Sequence, residues 1–165
     1  MKTRIRTQEG ATLVELLLVI AITGIFLRLV TLGAFQSQQR VSLVETRDKL
    51  MRDMRRQQYR AMMGVTDING ATFDYSIYFE PTRYTLFPGS VYPPNNPQNI
   101  VQPLDPPFRL ETITLTSSTL TFARVSGDMR NYASTKSSLI LHNTQTGNQI
   151  LITINPRGVA RAQNQ

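Results

Sequence analysis

The chain has 165 residues, with 18 Lys+Arg against 11 Asp+Glu and a net charge of +7, a length that fits one domain beyond any targeting segment. It contains no cysteine, no tryptophan and one histidine, His142. Disulfides, thiol chemistry and Cys- or His-built metal centres are therefore excluded, and a Ser-His-Asp triad would depend on that single imidazole.

Apolar residues make up 41% and charged residues 18%, as in a folded domain rather than a disordered chain, but the apolar residues are unevenly spread. Residues 1–10, MKTRIRTQEG, carry Lys2, Arg4 and Arg6 against Glu9. Residues 11–35 then hold only two charges, Glu15 and Arg28. As a helix this run reaches about 37 Å, against a hydrocarbon core of about 30 Å. The basic N-terminal flank predicts that this end stays in the cytoplasm and the remainder is exported. A secretory signal peptide would have a shorter apolar region closed by a small-x-small cleavage site. A plain signal anchor would account for length and orientation but not for Glu15, because a carboxylate within an apolar helix is expensive and marks a specific partner.

The string Gly10-Ala11-Thr12-Leu13-Val14-Glu15-Leu16 resembles the class III signal of type IV pilins and type II secretion pseudopilins: a short basic leader, a glycine, Thr-Leu-x-Glu and an apolar helix. The resemblance implies that a prepilin peptidase cuts between Gly10 and Ala11 and that Ala11, the new N-terminus, is methylated; the family more often has Phe or Met there. It also implies that Glu15 pairs with the N-terminal amine of a neighbouring subunit during assembly, which fits the use of a buried ion pair to set register. Gly10 has no side chain to keep a protease from the scissile bond. Arg28 lies far enough along the run to reach lipid head groups with its long side chain. Residue 32, where major pilins often have a kinking proline, is Leu, which leans toward a minor pilin or pseudopilin.

Residues 36–64 read as a stalk helix without Pro or Gly before Gly64. Leu43, Val44, Leu50, Met51, Met54, Ala61 and Met62 fall near one face, and arginines cover much of the rest. Glu45 and Lys49 are spaced to support one another along it. From residue 65 the pattern becomes β-rich. Expected strands are 72–79, with Phe73, Tyr75, Ile77 and Phe79 on one side, and 83–87, forming a hairpin across Glu80-Pro81-Thr82. Residues 81–107 hold eight of the nine prolines, and the stretch from Pro88 to Pro107 reads as a surface loop. Further strands are expected at 109–116, 119–125, 137–143 and 148–155. The turn Thr144-Gln145-Thr146-Gly147 joins the last two, and a short final strand follows near 158–161.

The expected fold is thus α+β: a long N-terminal transmembrane/stalk helix packed on an antiparallel β-sheet head, pilin-like. The C-terminal half, with LTFARVSGDM, SLILHN and ILITINPRGVAR, resembles the head of the GspH/FimT group of minor pseudopilins and pilins. That resemblance implies a structural or priming subunit of a type IV pilus or type II secretion pseudopilus. It would be held in the bacterial inner membrane with its N-terminus inside, and then drawn into the filament. The implied partners are other subunits, the prepilin peptidase, the inner-membrane assembly platform and lipid. No enzyme motif, cofactor signature or metal cluster is present in the sequence, and His142 reads as a strand residue facing water.

Two alternatives belong to other classes. Some FimT-like minor pilins bind DNA through a C-terminal Gly-Arg-x-Arg motif. Here the corresponding residues are Arg157-Gly158-Val159-Ala160-Arg161, which lack the arginine directly after the glycine, so DNA contact would fall to Arg157 and Arg161. The other alternative is a membrane-anchored binding protein that does not polymerise and is indifferent to Gly10 and Glu15.

Overall fold

A computed structural model describes residues 13–64, 70, 72–130 and 132–164, with the side chains of 29–41 outside the described set. Its elements are α1 (Leu13–Met62), β1 (Tyr75–Glu80), β2 (Arg83–Pro88), β3 (Ile100–Pro103), β4 (Phe108–Glu111), a 3-10 turn (Thr116–Ser118), β5 (Thr119–Phe122), β6 (Ser138–Asn143), β7 (Gln149–Ile154) and β8 (Ala160–Asn164). The chain divides into two compact units, residues 1–40 and 41–165.

The expected fold is corrected in two respects. First, no helix among the described residues is long and apolar enough to cross a membrane. The helical run is also shared between the two units, so it is not one N-terminal stalk: residues from 42 onward form the helix of the head itself. Second, the head is built on two antiparallel four-stranded sheets instead of one, with strand orders β3-β2-β1-β5 and β4-β6-β7-β8. The combination of helix and antiparallel strands remains α+β.

Within the head, the helix buries Leu43, Leu50, Met54, Gln57 and Ala61. Their spacing of seven, four, three and four residues keeps them on one helical face. Val44 and Met62, expected on that face, are exposed. The facing strand residues are Tyr75, Ile77, Phe79, Tyr84, Leu86, Leu120 and Phe122 from one sheet, and Leu110, Leu139, Leu141, Ile150, Ile152 and Ile154 from the other. In β6 and β7 every second residue is buried, the period-two pattern of strands with one wet face.

Polar bonds fix where this helix sits. The buried Gln57 amide donates to the Ser76 carbonyl at 2.9 Å, and Tyr84 donates its hydroxyl to Asp53 Oδ2 at 2.6 Å. Arg60 lies over the Tyr75 ring, 4.8 Å from its centroid, in cation–π contact. The two sheets meet at the β1–β2 turn, whose Pro81 and Thr82 carbonyls accept from the Leu110 and Leu104 amides, each at 2.9 Å.

Tyr84 supplies a prediction. Burial first, and then its bond to the Asp53 carboxylate, push the phenol above its ordinary value, because both disfavour the phenolate. The unfolded chain therefore releases this proton near pH 10 while the native state keeps it. The contribution is complete below that pH and is lost as pH rises through the higher native value. Tyr84→Phe is expected to lower stability by roughly 1–2 kcal/mol at neutral pH and to flatten the fall in stability above about pH 10. Urea midpoints of both proteins across the alkaline range measure this. Equal alkaline slopes would refute the assignment.

The turn between β1 and β2 has the expected hairpin register, with Glu80 opposite Arg83. Arg83 donates to both Glu80 oxygens, at 2.6 and 2.9 Å, and this bonding holds the Glu80 carboxyl below its ordinary range. The pair is exposed and adds little to stability.

The Pro-rich stretch is not wholly a loop. Its residues 100–103 form β3, paired with β2 from Arg83↔Pro103 to Leu86↔Ile100. Pro103 ends this outermost strand, a position where a missing amide costs no ladder bond. Asn96 and Asn99 brace the remaining loop: Asn96 accepts from the Gln98 amide at 2.8 Å, and the Asn99 side chain donates to the Pro93 carbonyl at 2.6 Å.

Candidate functional site

The residues singled out by the sequence lie in two places. In the N-terminal unit, Gly10 and Ala11 are outside the described residues. Glu15 is the acidic residue in the first turn of α1, where the helix dipole favours a carboxylate. Around it every described side chain from Leu13 to Arg28 is exposed, including Leu13 at 74%, Val14 at 72% and Ile25 at 62%. An apolar helix exposed all round presents far more greasy surface than an isolated soluble unit carries, and such surface marks contact with lipid or protein.

In the head, the C-terminal hairpin places Arg157 in its turn and Arg161 on β8, where it pairs with Thr153 of β7. The turn closes through three bonds of Asn155. Its amide donates to the Val159 carbonyl at 3.1 Å, its carbonyl accepts from Gly158 N at 2.9 Å and its side-chain oxygen accepts from Val159 N at 2.9 Å. Gln58 of the helix holds this turn from the side, donating to the Arg157 carbonyl at 2.7 Å and to the Gly127 carbonyl at 3.0 Å. Both arginines are exposed.

A cavity of about 300 Å³ beside them is lined by Arg55, Gln58, Gly158, Val159 and Ala160 among others, and Arg55 is its one charged wall residue. Arg55 thus joins the neighbourhood of the two C-terminal arginines, which the sequence did not bring together. The turn also gives a structural reason for Gly158 that is separate from any ligand, since it packs directly on the Gly127 loop.

His142 is half-buried on the outer face of β6. Its Nδ1 lies 3.0 Å from Glu111 Oε1, a diagonal pair two residues along the β4–β6 register from its direct partner Arg109. It therefore forms a cross-strand contact instead of facing water alone. Among the described residues no group of three His, Cys, Asp or Glu could hold a metal ion.

Sequence reading missed Gln57, Gln58 and the Tyr84–Asp53 bond. Each is a polar residue in a helix or strand, and only the tertiary arrangement brings it to its acceptor. No protein family, curated protein or solved structure matches this chain.

Proposed function

We propose that this chain is a minor pilin or pseudopilin, a structural or priming subunit of a type IV pilus or type II secretion pseudopilus. It reaches the bacterial inner membrane through its apolar N-terminal segment and is processed by a prepilin peptidase between Gly10 and Ala11. The methylated Ala11 and Glu15 then serve assembly, and the head lies on the outer side of the membrane. The filament type, secretion, adhesion or DNA uptake, is a further level of detail beneath this reading.

One observation supports it above the others: a largely apolar run, residues 13–27, is exposed on every side and carries a single charge, Glu15, near its beginning. Lipid covers such a surface before assembly and neighbouring helices cover it afterwards. A carboxylate then has to meet a cation, because a lone charge in an apolar setting is costly. The leader sequence supplies the chemistry for that cation, an amine freed at Ala11.

The direct test is the mass of the mature chain from a host that carries the peptidase. The expected species lacks residues 1–10 and bears one additional methyl group on Ala11. An intact Met1 in assembled material would refute processing.

A further inference from the structure

The outer face of the first sheet carries a cleft. Tyr92, from the Pro-rich loop, stacks on Tyr78 of β1, with ring centroids 4.2 Å apart and an interplanar angle of 13°. It also meets Phe87 of β2 edge-on at 5.4 Å. These aromatic contacts hold residues 89–99 against the sheet. Between this loop and the Thr116–Ser118 turn opens a cavity of about 610 Å³, lined by Tyr78, Ser90, Tyr92, Thr119, Thr121 and Arg130 together with that turn. The volume is that of a small-molecule site.

The chemistry of the walls narrows the ligand. Most of the lining groups are hydroxyls of Ser, Thr and Tyr, a group that can donate and accept; two already have partners, Thr119 donating to the Ser117 carbonyl and Thr121 accepting from the Ser76 hydroxyl, each at 2.9 Å. The one charged wall residue, Arg130, is already neutralised: its guanidinium donates to both Asp74 oxygens, at 2.6 and 3.1 Å. The cleft therefore has no unbalanced charge to attract a phosphate or a carboxylate.

Nor is it a slot for an added peptide strand. The outer edge of β5 is taken up at Thr121, whose carbonyl accepts from Arg130 N at 2.9 Å, and at Ala123, whose amide donates to the Asp128 carbonyl at 2.8 Å. The two tyrosines cover one face of each other, which leaves a ligand their outer faces and edges, and a ligand that satisfies the remaining hydroxyls and lays apolar C–H groups on those ring surfaces is a neutral sugar. We infer that this cleft binds a short segment of neutral oligosaccharide through Tyr78, Tyr92, Ser90 and Thr116. This inference does not depend on the assembly reading, since none of these residues lies in the N-terminal unit.

The test is calorimetric titration of the full chain, held in a detergent without a sugar head group, with cellotetraose and with chitotetraose. The expected result is saturable binding of at least one of them, unchanged when ionic strength is raised, because no charge is involved. Tyr92→Ala should weaken binding by about tenfold, the upper worth of an aromatic contact. Thr116→Val keeps the shape of an exposed cleft side chain, removes one hydroxyl and should weaken binding by about threefold to tenfold. It also guards against a loop that simply loosens in Tyr92→Ala. Tyr59→Ala, exposed on the helix and outside the cleft, should bind as the parent does. Any of four results overturns the inference: no saturable binding of either sugar, parental affinity in both cleft variants, a steep loss with salt, or displacement of the sugar by a Ser/Thr-rich peptide.

Discussion

Glu15→Ala is expected to leave a folded, processed and membrane-held protein that fails to enter filaments. The head should be untouched, because Glu15 belongs to the unit of residues 1–40 and the packed core begins at Leu43. Its urea midpoint should therefore equal that of the parent. Cleavage should also proceed, since the scissile bond follows Gly10. The loss falls on assembly. When neighbouring helices cover residues 13–27, the amine at Ala11 of one subunit is buried beside Glu15 of the next. Removing one member of a buried pair costs about 3–5 kcal/mol, or roughly two to nearly four orders of magnitude in the assembly equilibrium. The fraction of the variant recovered in sheared filaments, measured against membrane-bound protein, should fall accordingly. Glu15→Gln should fail as well, because it restores shape and hydrogen bonding but not charge. Normal recovery of Glu15→Ala would reject the pilin-like reading in favour of an anchored binding protein that does not polymerise.

The proposed processing and assembly reading rests on residues 10–16 alone, a glycine and a carboxylate at fixed spacing. The β6–β7 hairpin was legible because its signal is local. The stretch 144–147 ends in Gly147 with φ +74°, and Asn143 caps the turn by accepting from the Gln145 and Thr146 amides. Strand ends were less legible. The expected strand 109–116 stops at Glu111, because Thr112 turns into the left-handed region at φ +47°, and no residue type signals that. Likewise β3 was hidden inside a proline-rich stretch, since Pro103 suits an outermost strand and reads as a breaker only in isolation. The division into two sheets could not be read at all. It depends on which strand pairs β1, and β5 joins it from more than thirty residues away while β4 and β6 pair elsewhere. The Tyr78–Tyr92 stack and the approach of Arg55 to the C-terminal turn are long-range in the same way.

Gly158→Ala should be among the most damaging single-methyl additions in the head. The residue sits at φ +72°, where an L side chain is strained by roughly 1–2 kcal/mol. Strain alone does not single it out, because Gly147 has a similar φ of +74° with nothing within 4 Å of an added Cβ. Gly147→Ala should therefore cost only about the conformational penalty, near 1 kcal/mol. At Gly158 the same carbon would meet the Gly127 carbonyl oxygen at 2.8 Å, Gln58 Nε2 at 2.9 Å and Phe122 Cε1 at 2.9 Å.

Two of those three neighbours cannot give way cheaply. One is backbone, and the other is a ring with no exposed surface in the core. The third, Gln58, could move only by releasing the Arg157 and Gly127 carbonyls that it holds. Overpacking adds about 1–3 kcal/mol, for a total near 2–5 kcal/mol with the conformational term. Gly127→Ala offers a graded comparison. Its nearest neighbours are the Cγ and sulfur of Met62, at 2.5 and 2.9 Å, a flexible and exposed side chain that can swing aside. The expected order of destabilisation is Gly147→Ala, then Gly127→Ala, then Gly158→Ala, read from urea midpoints of the full chain. If Gly158→Ala proved as mild as Gly147→Ala, the Gln58 clamp would not be the joint that holds the C-terminal turn on the head.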